Sequence, residues 1–198
     1  MNPSVLLFTG HLLDKIDRES ARFPYRLIRE VQRIIDVELD HLLKRGVPGM
    51  AISSLAAGGD MLFASEVLRR KIPLAVFLPF EKEKFLADSV RYLKDLPSED
   101  PQEWEDHFHE NMSRAATVIV THSDGLKQDQ AYAACNKAML EFALGLTENQ
   151  PAKILALALI QNSSEIKEGG AADFVNQLES IGIPVKKIWP GRSNKLYC

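Results

Sequence analysis

The chain is short of the features that would settle its class at once. It has two cysteines, Cys135 and Cys198, too few for a disulfide framework. Its longest apolar run, 154–160, falls far short of the roughly 20 residues a membrane helix needs. A net charge of −3 gives no general attraction for a phosphate backbone and argues against non-specific nucleic-acid binding. No signal peptide is recognisable, so a reducing cytoplasm is the expected setting. Internal repeats and low-complexity segments are lacking too.

Catalytic signatures are equally scarce. There is no G-x-S-x-G nucleophile elbow and no Walker lysine motif, and Gly58-Gly59 does not complete a G-x-G-x-x-G fingerprint. Hydride chemistry and ATP hydrolysis lose support. The five histidines form no metal constellation: His107 and His109 stand two apart on a predicted helix and point away from each other. No metal and no cofactor are expected. Of basic clusters there is little beyond Arg69-Arg70-Lys71.

What is present is a regular alternation. Apolar runs at 4–9, 50–55, 73–78, 116–121 and 153–160, with a short one at 184–188, read as about six strands. Helical periodicity fills 25–44, 60–70, 81–93, 102–113, 129–146 and 171–180, and 97–101 reads as a polar turn. Strand–helix alternation with continuously apolar strands predicts a three-layer α/β fold. Its sheet should be doubly wound, mostly parallel and Rossmann-like, with helices on both faces. Residues 1–190 fit one domain and 191–198 a tail.

Such sheets bind ligands beyond the carboxyl ends of their strands, so the residues after each strand are the candidates. Thr9, Gly10 and His11 leave the first strand: Gly10 can expose amides, and Thr9 and His11 can hydrogen-bond a phosphate or base. The alternative is a tight turn with His11 in solvent. The connection that follows, 11–24, is long for a compact domain, as functional loops often are. Its Asp14, Asp17, Glu19 and Arg22 cover a ligand or are simply solvated.

After the second strand come Ala57, Gly58, Gly59 and Asp60. Small residues here let backbone approach a phosphate, the next helix points its N-terminus at the same place, and Asp60 stands where an N-cap is expected. The alternative is a well-capped strand–helix connection without a ligand. Gly169 and Gly170, ahead of a helix whose first turn holds Asp173, repeat that pattern. Pro79 and Glu81 follow the third strand, and His122 to Asp124 the fourth. Tyr132 and Asn136 share a side of the long fifth helix, where they face a sugar or base or bond a neighbouring helix. Asp60, Glu81, Asp124 and Glu141 are the candidate acids or bases.

Phe8-Thr9-Gly10-His11 and Ser53-Ser54-Leu55-Ala56-Ala57-Gly58-Gly59-Asp60 resemble the SLOG superfamily of Rossmann-like domains, which includes the DNA-processing protein A and lonely-guy phosphoribohydrolase families. Residues 54–60 are similar to the S-G-L-A-x-G-x-D turn of the DNA-processing group. The segments 78–85, 132–144 and 169–175 look like a bacterial subgroup often fused to signalling modules. The resemblance spans most of 4–188. It implies binding of a nucleotide or nucleotide-derived ligand, by a sensor or by an enzyme acting on N-glycosidic bonds. Thr9, Gly10, Gly58, Gly59 and Asp60 would then lie on the phosphate and ribose side. The chain departs from the phosphoribohydrolases in their P-G-G-x-G-T-x-x-E loop: residues 168–173 lack its Pro and its Thr. The expected partner is a nucleotide-type small molecule, with no membrane or nucleic acid and with a homodimer as an option. A protein-interaction module with a vestigial cleft is the remaining alternative.

Overall fold

The computed structural model describes residues 4–15, 18–95, 101–121, 125–161 and 166–190. Asp17, His122, Asp124, the turn at 97–100, part of the 161–170 loop and the 191–198 tail lie outside them.

The strands are β1 (Val5–Gly10), β2 (Met50–Ser53), β3 (Leu74–Leu78), β4 (Thr117–Val120), β5 (Ile154–Leu159) and β6 (Val185–Ile188). They form one sheet in the order β4-β3-β2-β1-β5-β6, and all five pairings are parallel. The helices are α1 (Ile28–Leu43), α2 (Gly59–Arg69), α3 (Lys82–Ser89), α4 (Pro101–Arg114), α5 (Gln128–Leu146) and α6 (Ala171–Ser180). Side chains alternate across each strand, so one sequence feeds two cores. Leu6 and Phe8 of β1 pack with residues of α1 to α4, whereas Val5 and Leu7 pack with those of α5 and α6. Phe8 stacks on Phe63 of α2 at 4.5 Å between ring centres. The edge strands β4 and β6 are only partly covered.

Element ends differ from the sequence reading for local reasons. Residues 25–27 form a 3-10 turn ahead of α1. The predicted helix 81–93 stops at Ser89: Val90 leaves the helical conformation (φ −131°, ψ −59°), and the Ser89 carbonyl, one of the last without a helical partner, accepts the Ala57 N–H at 2.9 Å. A 3-10 turn at Arg91–Asp95 follows.

Arg69 and Arg70 are not a free basic patch. Arg70 bonds Asp36 (2.6 Å), Asp40 (2.7 Å) and Glu66 (2.6 Å), and Arg69 bonds Asp36 and Glu66, which clamps α1 to α2. At the far edge Lys186 of β6 pairs with Glu38, a buried carboxylate of α1. Among the described residues no helix is long and apolar enough to cross a membrane.

Candidate functional site

Strand order reverses beside β1: β2 lies on one flank and β5, more than a hundred residues later, on the other. The loops leaving these strands therefore meet on one rim, and hydrogen bonds between main chains join them. His11 N–H donates to Leu159 O (3.1 Å), Leu13 N–H to Ala57 O (3.0 Å), Gly59 N–H to His11 O (3.2 Å) and Ala57 N–H to Ser89 O (2.9 Å). Leu12 and Gly58 form an isolated antiparallel bridge. Gly58 has φ of 128°, and a Cβ there would stand 2.8 Å from His11 O and Leu13 N. Glycine is required here for a close crossing of two main chains. A Cβ on Gly59 would meet Leu159 Cδ2 at 3.0 Å, so this glycine seats α2 against β1 and β5.

Gly58, not Asp60, is the N-cap of α2. Asp60 lies in the first turn and reaches back over the end of β1, where its carboxyl accepts the Gly10 and Ala56 N–H groups. Part of the residue touches solvent, but Oδ1 is shut off and has no partner. Burial pushes its pKa from 3.8 up to about 8, against the pull of those two N–H groups. Asp60 is thus an uncharged acid at neutral pH.

His11 is buried rather than in solvent, and Thr9 beside it is buried too. His11 Nε2 accepts the Gln161 N–H at 3.4 Å, and its ring meets Trp189 edge-on at 6.2 Å. Burial first, then the Arg22 and Arg18 charges, lowers its pKa to about 4 and keeps it neutral. The imidazole therefore bridges the loops that follow β1 and β5.

The described residues of the loop between His11 and Pro24 are tied to one another. Asp14 Oδ2 accepts the N–H groups of Arg22 (2.8 Å) and Phe23 (2.9 Å), Asp14 N–H donates to Phe23 O (2.9 Å), and Phe23 is fully buried. Asp14 Oδ1 lies 3.3 Å from Arg18 Nε. So folded, the loop forms one wall of a cleft of about 310 Å³, lined by Leu12, Leu13, Lys15, Arg18 and Arg22. Asp88, Ser89 and Tyr92 form the second wall, and Gln128 and Tyr132 at the start of α5 form the third. The volume is that of a small-ligand site. Among the described residues three cations line it with one carboxylate, Asp88, and one of the three, Arg18, is also paired with Asp14. The Tyr92 hydroxyl donates to Leu13 O (2.8 Å) and the Tyr132 hydroxyl to Asp88 Oδ2 (2.6 Å). Burial raises both phenol pKa values, so both groups remain donors.

Of the residues marked from sequence, Tyr132 and Arg22 line this cleft; Ala57, Gly58 and Gly59 lie behind its first wall. Asn136 Nδ2 donates to Gly169 O (3.1 Å), and Gly169, at φ of 72°, presses on the α5 backbone at Asp129 and Ala133. Gly170 is the N-cap of α6, and Asp173 Oδ2 accepts the Gly169 N–H (3.1 Å). Pro79 and Glu81 lead into α3, with Glu81 exposed at its N-cap. Glu141 is exposed on α5, 3.7 Å from Lys137. Neither carboxylate lines the cleft. His107 and His109 each lie 3.6 Å from a glutamate one turn earlier, Glu103 and Glu105. No cluster among the described residues could hold a metal ion.

Sequence reasoning passed over Lys15, Arg18, Asp88, Ser89, Tyr92 and Gln128. For the first two the alternation of basic residues with Asp14 in a long loop was a usable signal. Asp88 and Ser89 end a helix, and nothing local marks them.

No family model matches the chain, and neither does any curated protein. Among solved structures it is similar to the S. aureus MnaA–UDP co-structure, at 7% identity over 95% of this chain and 68% of that one, with a TM-score of 0.31. So faint a likeness carries no weight for ligand or mechanism.

Proposed function

We propose that the chain binds a nucleotide or nucleotide-derived phosphorylated small molecule in the Lys15–Arg18–Arg22 cleft, and that it works as a cytoplasmic sensor. One observation carries this reading: Lys15, Arg18 and Arg22 converge on a concave site at the carboxyl rim of an all-parallel sheet, with Asp88 the one acid among its described lining residues. The SLOG resemblance agrees with it. The missing Pro and Thr of the phosphoribohydrolase loop favour sensing over catalysis.

The test is a thermal-shift screen against nucleoside phosphates, ADP-ribose, NAD and cyclic dinucleotides. A ligand at about a hundred times its Kd stabilises the fold by ~2.7 kcal/mol. The shift should shrink with added salt and in Arg18→Gln. A ligand recovered unchanged supports a sensor. A flat screen favours an interaction module.

A second reading, cleavage or transfer at an N-glycosidic bond, has Asp60 as its acid, a group that stays protonated at neutral pH as a general acid must but that does not itself line the cleft. It predicts free base on incubation and none from Asp60→Asn.

A further inference from the structure

A second cleft, of about 420 Å³, adjoins the first and is lined by Phe80, Lys84, Ala87, Asp88, Leu126 and Gln128. Asp88 and Gln128 belong to both, so they form the ridge over which a ligand larger than a phosphate must pass. On that ridge Asp88 Oδ2 already accepts from Tyr132 Oη (2.6 Å) and Ser89 Oγ (3.3 Å). Oδ1 accepts from Gln128 Nε2 (2.5 Å). A carboxylate has about four acceptor sites, so Oδ1 keeps one in hand. The bond from Gln128 Nε2 holds the amide beside the carboxylate, and the amide oxygen Oε1 supplies a second acceptor.

We propose that Asp88 and Gln128 recognise vicinal hydroxyl groups, so that the ligand is a ribosyl phosphate. Its phosphate lies among Lys15, Arg18 and Arg22, its diol on the ridge, and the rest of the molecule in the second cleft. Two adjacent acceptors suit two adjacent donors. An ammonium group could also use them, but Lys15, Arg18 and Arg22 line the same cleft and repel it. A phosphate alone would fill only the cationic end and leave both acceptors unused. The second cleft gives the rest of such a ligand room: it continues past the ridge between Ala87 and Leu126, with the buried Phe80 ring at its base and Lys84 Nζ covering that ring at 3.9 Å. This inference rests on the cleft being the ligand site.

The experiment titrates the protein with the four ribonucleoside 5′-monophosphates, their 2′,3′-dideoxy counterparts and inorganic phosphate. At least one ribonucleotide should bind about tenfold more tightly than its dideoxy form and than phosphate. Gln128→Ala, at an exposed position, should shrink that ratio severalfold, and so should Asp88→Asn if its melting temperature is unchanged. Equal binding of ribo and dideoxy forms, with both weakened by Arg18→Gln, would overturn the diol site and leave the cleft standing. No binding of any probe would remove the cleft reading and this one together.

Discussion

Asp60 and His11 give the fold opposite pH dependences, and the two can be separated. Asp60 holds its proton to about 8 in the folded chain and to 3.8 otherwise. Between those values the folded state binds a proton that the unfolded state has released, so stability falls as pH rises. His11 runs the other way: lowered from 6.5 to about 4, it is neutral when folded and charged when unfolded in that window, so stability rises with pH. One proton is worth about 1.4 kcal/mol per pH unit at most. From pH 4 to 6.5 the two slopes cancel, and from 6.5 to 8 Asp60 acts alone and removes ~2 kcal/mol. Cys135, which faces Asp60 from α5, is pushed up to about 12 by burial and then by the Asp60 charge, so it stays a thiol throughout. Urea unfolding of the wild type at half-unit pH steps should give a plateau and then a decline. Asp60→Asn should remove the decline and expose a rise from pH 4 to 6.5. His11→Gln should expose a continuous fall from pH 4 to 8. Parallel pH profiles for the wild type and Asp60→Asn would refute the buried-acid account.

Gly58→Ala places a Cβ against two main-chain atoms at a positive φ, and should cost about 1–3 kcal/mol in denaturant unfolding. An unchanged midpoint would mean that the two loops can part freely. Asp14→Ala strips the acceptor from the Arg22 and Phe23 N–H groups and should cost about 1–3 kcal/mol, with faster amide exchange at those two residues. Lys186→Met leaves the Glu38 carboxylate buried without its cation; the loss should be about 3 kcal/mol, and Glu38→Gln in the same chain should restore much of it. Arg70→Met breaks a three-carboxylate clamp and should lower the melting temperature more than Arg114→Met, which removes one exposed ion pair and one bond to Leu68 O.

The fold was legible because its signal is repeated. Each apolar run but the last, such as 73–78, is bounded by a glycine or proline or by a polar stretch and followed in turn by a helical period. A mostly parallel sheet follows from that alternation; the strand order and the parallel pairing of every strand come from the structure. The site was only half legible. That the rim after β1 and β2 matters could be read from Gly10, Gly58 and the long loop. What the glycines approach could not: at Gly58 the close neighbour is the chain's own His11–Leu13 backbone, and at Gly169 it is α5. A glycine records that something comes near without recording what. His11 illustrates the same limit, since an imidazole after a strand reads alike whether it faces water or bridges to Gln161. The cations of the cleft come from one loop, but Asp88 and Tyr92 reach it from a second stretch and Gln128 from a third, and only folding places them together.

The central place of β1 also governs how the chain is made. β1 leaves the ribosome first among the strands, yet its pairing with β5 joins Val5 to Ile154. At ordinary synthesis rates of about 5–20 residues per second, roughly seven to thirty seconds separate the two. During that time β1 to β4 can assemble from one side only. The fully apolar strand that ends as the middle of the sheet is meanwhile an open edge, able to pair with another nascent copy. A chain ending before residue 154 keeps that edge for good, and should collect in aggregates.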